Sequence, residues 1–292
     1  MPISFNRVTT GYTMQQFANA LEVALLAVGW TLEFADADAI TGGTAADPGW
    51  GKAFAANASA GRAVFRMPAV GGLTRWYCEV SLKWGPGATS YPLNVRSALG
   101  VSGAGVLFNP GSGFGPDVDA VGGGEIIISA SESGFAVGVN MNEVLGYVLA
   151  FERKRNLVGA DLDDIVTHGS SQALVSNQNF LRYGSCVTRS ATGGENSVKR
   201  LLYLWESAQP NVAWSTGNPA TLAGAGANRG VPIGPMINSG GLGGNSGHYL
   251  FFTQADAPPG NEILVSLGGI DRTFQVSSFN SATGFYTAFL KA

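Results

Sequence analysis

The residues able to do chemistry are few, and their spacing is poor for it. The chain has 292 residues with two histidines and two cysteines. One serine and one histidine come together in Gly244-Asn245-Ser246-Gly247-His248. A nucleophile elbow needs Gly-x-Ser-x-Gly after a strand, and His248 stands where its last glycine belongs. Sequence neighbours also rarely form a triad, whose geometry is spatial. The segment therefore reads as a turn leading into a strand at Tyr249–Phe252. His168, next to Ser170 and Ser171, follows Asp161, Asp163 and Asp164, which suggests a triad or a metal site. The acidic group lacks the third ligand and central glycine of a calcium loop, so charged turn residues between two strands account for it better. Cys78, His168, Cys186 and His248 show no pairwise zinc spacing. Phosphate loops fail too: Trp50-Gly51-Lys52 runs on into Ala53, and no Gly-x-Gly-x-x-Gly is present. Paired carboxylates remain conceivable, because Glu79, Glu125 and Glu152 lie on predicted strands. The expectation is a protein that is not an enzyme and has no metal or cofactor.

What could position such residues is constrained by composition. Glycine occurs 42 times, roughly twice the ~7% average. Charge is scarce, with 17 Lys and Arg, 20 Asp and Glu, and a formal net charge of −3. A surface so weakly charged is poorly protected against self-association. The absence of a basic patch argues against nucleic acid or a membrane surface as partner. Cys78 and Cys186 sit in apolar strand-like runs and read as two buried free thiols, which fits a reducing site of synthesis. The amino terminus lacks the pattern of a signal peptide, and no run of 18 apolar residues is present.

One helix is expected. Thr13 and Gln16 form a capping box, and Met14, Phe17, Leu21, Leu25 and Val28 make an apolar stripe that stops at Gly29. Ala20, Val23, Ala24, Leu26 and Ala27 make its other face nearly as apolar, so the helix should be covered on more than one side. Strands follow. From Thr74 to Trp84 the chain alternates, with Trp76, Cys78, Val80, Leu82 and Trp84 inward and Arg75, Tyr77, Glu79, Ser81 and Lys83 outward. Further strands are expected at Arg62–Met67, Leu93–Leu99, Glu125–Ala130, Phe135–Val139 and Val144–Phe151, the last apolar on both faces and so central. The second half adds Phe180–Thr188, Arg200–Trp205, His248–Gln254, Glu262–Leu267, Arg272–Val276 and Phe285–Leu290. This spacing predicts a mainly β fold of antiparallel, sandwich-like sheets with one short amino-terminal α-helix and long Gly-rich loops. Two domains are expected, 1–165 and 166–292, because polar residues gather and strand density drops from Gly159 to Ser176.

Two Gly-rich segments, Gly100–Gly124 and Gly217–Gly247, are weakly charged but carry apolar residues, unlike true disorder. They are expected to order by packing on a neighbour. Among the six tryptophans, Trp30, Trp76, Trp84 and Trp205 lie in or beside strands and read as core. Trp50 and Trp214 sit in Gly/Pro-bearing segments, and Arg229 is the one charge of the second loop. These three are the candidates for an interface or ligand contact.

Several segments carry a family likeness. They are the helix end Val28-Gly29-Trp30, the strand Arg75–Val80 leading to Trp84-Gly85-Pro86-Gly87, and Ala150–Asn156 with its turn at Gly159. Val231-Pro232-Ile233-Gly234-Pro235, followed by Leu264–Phe274, completes the set. Together they resemble structural proteins of tailed bacteriophages, especially tail, baseplate, neck or fibre-associated components. The resemblance implies a non-enzymatic virion component made in the host cytoplasm, assembling as a homo-oligomer with other virion proteins. It supplies no functional residues. The competing expectation is a carbohydrate- or receptor-binding β-module at a tail tip, contacting a host surface glycan.

Overall fold

The computed structural model describes residues 2–8, 14–35, 61–82, 90–113, 117–119, 125–140, 146–155, 161–173, 184–192, 195–198, 201–202, 232–233, 236–239, 242–245, 247–253, 260–267, 270–277 and 285–292. Among the described residues the chain is mainly β, with antiparallel sheets and a single short helix. The first half contains β1 (Ile3–Val8), α1 (Met14–Ala27), β2 (Thr31–Ala35), β3 (Gly61–Arg66), β4 (Tyr77–Leu82) and β5 (Ser90–Ala98). Short β6 (Gly100–Val101), β7 (Leu107–Phe108) and β8 (Asp117–Asp119) lead into β9 (Ile126–Ser131), β10 (Gly134–Asn140), β11 (Gly146–Arg155) and β12 (Asp161–Ala173). After these come β13 (Gly184–Ser190), β14 (Glu195–Val198), β15 (Leu201–Leu202), β16 (Pro232–Ile233), β17 (Met236–Ser239) and β18 (Leu242–Asn245). The last four strands are β19 (Tyr249–Thr253), β20 (Glu262–Leu267), β21 (Ile270–Val276) and β22 (Phe285–Leu290).

The helix forms where the apolar stripe predicts it. Phe17, Leu21, Leu25 and Val28 are buried, and so are Ala18, Ala20 and Ala24 beside them. Its end is a full Schellman cap: Trp30 N–H donates to Leu25 O (3.1 Å) and Gly29 N–H to Leu26 O (3.1 Å). Gly29 takes φ 88°, which a side chain would resist. The cap points Trp30 into the core, where its ring meets Phe135 and Phe151 edge-on. The expected capping residue Thr13 lies outside the described residues.

A ten-stranded sheet runs β1-β9-β10-β11-β12-β13-β14, with β15, β17 and β18 off this path. A five-stranded sheet has the order β2-β3-β4-β5-β8, and a carboxy-terminal one β16-β19-β22-β21-β20. The main core lies between α1, the inner face of β3–β5 (Phe65, Trp76, Cys78, Val80, Val95) and one face of β9–β11 (Ile126, Ile128, Phe135, Val137, Leu149, Phe151). Two arginines are buried where these sheets meet. Arg153 donates to Thr74 O, while Arg189 bonds Ser97 O and lies over Trp76. A second cluster of Phe274, Val276, Ala288 and Leu290 takes in Ile3 and Ile263, tying β1 to the carboxy-terminal sheet. β9 is buried along its whole length, on both faces.

The structure changes the reading of two groups of residues, Asp161–Asp164 and Glu79. Asp161–Asp164 and His168 are not in a turn: they belong to β12, which at 13 residues is the longest strand among the described residues. Its polar sequence hides it, but β11 pairs with Asp161 and Val166–Ala173 on one side and β13 with Ile165–Ser171 on the other. The expected boundary at 165 falls inside this strand, and the ten-stranded sheet draws from both sides of it. Glu79 does not face solvent: it is buried, because β5 places Arg96 directly opposite it. The described part of Gly100–Gly124 packs on its own chain. Gly105 lies against Phe34 and Arg62, and Gly111 N–H donates to Ser97 O (2.7 Å). Part of the second Gly-rich segment also forms strands, β16 to β18.

Candidate functional site

The register of β9, β10 and β11 sets up one polar row inside the apolar fold. Ser131 pairs with Gly134, and Gly134 with Glu152, so the three lie side by side across the sheet. They occupy the face opposite Phe135 and Phe151, where alternation along the strands places them. His248, one residue before β19, sits over this row. Its Nε2 is 2.9 Å from Ser131 Oγ, and its Nδ1 bonds Glu152 Oε1. Glu152 Oε1 also accepts the Gly247 N–H (3.1 Å). Ser131 Oγ accepts the Ser133 N–H (3.2 Å), and Ser131 O accepts the Trp30 indole N–H (2.9 Å).

Proton placement follows from these partners. With Nδ1–H donated to the carboxylate, Nε2 is left to accept the Ser131 hydroxyl proton. This is the serine–histidine–acid order of a hydrolytic triad. A nucleophile, however, must touch its substrate. Ser131 and His248 are 0% exposed and Glu152 is 4% exposed. The row therefore works as a buried polar fastener. It joins the helix end at Trp30, the β9–β10 turn, β11 and the start of β19, and His248 O accepts Leu290 N–H of β22 (2.8 Å). From the sequence the only serine weighed beside His248 is Ser246, two residues away, and the segment reads as a turn. The actual partners lie 117 and 96 positions distant. The one local signal is a histidine opening an apolar strand, which requires polar partners once buried.

The other carboxylates singled out from the sequence each have their own partner. Glu79 accepts from Arg96 Nε (2.6 Å) and Nη2 (3.1 Å), with Arg62 Nη1 at 3.4 Å. Arg62 also lies over the Phe34 ring and donates to Gly105 O (3.0 Å), which fastens the β6–β7 hairpin to the first sheet. Glu125 is buried and bonds Arg7 Nε across β1 and β9. Cys78 is a free buried thiol, so the two cysteines do not form a bridge. Burial pushes the Cys78 thiol well above its ordinary value, and the Glu79 carboxylate adds to the rise. The side chains of His168, Asp161, Asp163, Asp164 and Cys186 are not among those described, although their strands are. Among the described residues no three His, Cys, Asp or Glu side chains gather as a metal site would need.

Trp50, Trp214 and Arg229, the expected contact residues, all lie outside the described residues, as do Trp84 and Trp205. Trp30 and Trp76 are core. The described surface instead exposes large apolar side chains at three places: Val23 and Leu26 on α1, Val106 and Phe108 on the β6–β7 hairpin, and Leu264 on β20. No described helix is long and apolar enough to cross a membrane. No protein-family model and no curated protein matches the chain.

Proposed function

We propose that the chain is a non-enzymatic structural subunit that assembles with copies of itself, in the setting of a tailed-bacteriophage particle. One observation carries the reading: α1 is apolar on the side it turns away from its own core. Val23 is 61% exposed and Leu26 is 44% exposed, with Asn19 and Ala27 beside them and Glu22 as the helix's one charged residue. A helix that ends in water normally carries charge on that face. This face has almost nothing to repel a second, identical face. Covering its two large side chains contributes roughly 1–3 kcal/mol per subunit. That suits an interface repeated many times in a larger assembly. The sealed serine–histidine–glutamate row supports the non-enzymatic half of the reading. The phage setting rests on the resemblance of the segments named above.

The test is light scattering on the eluting full-length protein, beside a Val23→Lys/Leu26→Lys variant. Self-association in the parent and a lower mass in the variant support the reading. A parent that stays at 30.2 kDa at every concentration overturns it. Mass spectrometry of purified particles tests the virion setting.

A further inference from the structure

We infer that β20 is a self-complementary edge, pairing antiparallel with β20 of a second copy about a two-fold axis at Leu264. The inference rests on the assembly reading above and names one contact through which it occurs. β20 is the last strand of the carboxy-terminal sheet, bonded on one side to β21 through six consecutive residue pairs without a bulge. Among the described residues no strand pairs its outer side. Exposed edges normally carry a charge, a proline or a bulge that blocks further pairing. The end strands of the other sheet paths do, and β15, a further edge at Leu201–Leu202, is only two residues long. β1 has Arg7, β2 has Glu33 and a bulge between Leu32 and Phe34, and β8 has Asp117 and Asp119. β14 is only four residues long and begins at Glu195, and β16 is two residues long and begins at Pro232. β20 has Glu262 at its first position and then Ile263, Leu264, Val265, Ser266 and Leu267, none of them charged.

The occupant follows from that sequence. With the axis at Leu264, Leu264 faces its symmetry mate, Ile263 faces Val265, and Glu262 faces Ser266. No like charges oppose each other. Glu262, Leu264 and Ser266 share one face by alternation. On that face Glu262 is already paired with Lys291. Leu264, 71% exposed in the single subunit, is brought against its own copy at the centre of the ladder. Ile263, on the opposite face, already packs on the second core cluster, so that face of the paired edge has a floor. A continuous sheet crossing the two-fold axis results, with the two subunits related by an isologous contact.

The test uses the full-length chain. Directly opposed residues of an antiparallel pair have Cβ atoms about 5 Å apart, so a Leu264→Cys variant joins to its mate under mild oxidation and runs as a dimer on a non-reducing gel. Glu262→Cys does not, because the two copies of that position lie about 13 Å apart along the ladder. Leu264→Lys, which sets two ammonium groups face to face, weakens self-association at least 10-fold in sedimentation velocity. Its far-UV circular dichroism is unchanged, since the side chain is mostly in water. Failure of Leu264→Cys to cross-link in a protein that still self-associates overturns the β20 contact and leaves the assembly reading standing. A parent chain that never self-associates overturns both.

Discussion

Replacing His248 by alanine isolates what the buried row does. The substitution removes the ring that bridges Ser131 and Glu152. Among the described groups, the Glu152 carboxylate then keeps the Gly247 N–H and loses its imidazole. Its Oε2 has no hydrogen-bond partner even in the parent. The Ser131 hydroxyl loses the acceptor of its proton, and the ring volume is vacated in a site with 0% exposure. Removing one member of a buried pair costs about 3–5 kcal/mol, against a total stability of roughly 5–15 kcal/mol. At a urea slope near 3 kcal/mol/M this lowers the unfolding midpoint by about 1–2 M. Tryptophan fluorescence is a suitable probe, because Trp30 donates to Ser131 O in the same row. Removing the row together, as Ser131→Ala/Glu152→Leu/His248→Leu, leaves no charge stranded and destabilises less than His248→Ala alone. A midpoint shift under about 0.3 M for His248→Ala would refute the fastener account. So would esterase activity in the parent that Ser131→Ala abolishes without moving the midpoint.

Three further outcomes follow from the same structure. Gly134→Ala places a Cβ 2.5 Å from Phe151 O and 2.6 Å from Glu152 Cα, at a backbone φ of 155°. Since backbone cannot yield as a side chain tip does, stability falls by about 2–4 kcal/mol, read from the urea midpoint. Arg96→Met leaves Glu79 with the more distant Arg62; because both arginines are partly exposed the loss is about 1–3 kcal/mol in the same assay. Cys78 stays unreactive to a thiol reagent at neutral pH until the chain unfolds, since burial and Glu79 hold its proton on. The sign of its pH linkage is fixed. The folded thiol binds its proton more tightly than the unfolded one, so nothing is lost below the usual value of 9.0. Above it, stability declines with rising pH, by up to about 1.4 kcal/mol per unit from this group. Rapid labelling of Cys78 itself in the native chain, located by peptide mass mapping, would contradict the buried placement.

Local pattern and neighbour-dependent structure divide what was legible in the sequence. The α1 stripe, its stop at Gly29 and the alternation of Trp76, Cys78 and Val80 depend on residues close in sequence, and each appears in the structure. The Glu262–Leu267 and Phe285–Leu290 strands fall on their expected bounds. β12 was illegible because its own residues do not favour a strand; its neighbours do the work by pairing on both sides. β1 was missed as well; it forms by pairing with β9 over all six of its residues. Glu79 was read outward from alternation alone, whereas burial depended on arginines from two other strands. The His248 row joins residues from three distant segments, so only the tertiary register of β9, β10 and β11 could reveal it.

The central claim is that this is an assembling subunit, and sedimentation velocity of the untagged full-length protein over a wide concentration range tests it most directly. The account predicts species that are multiples of 30.2 kDa, growing with concentration and reduced by substitutions at Val23, Leu26 or Leu264. A single 30.2 kDa species at every concentration, indifferent to all three substitutions, would contradict it.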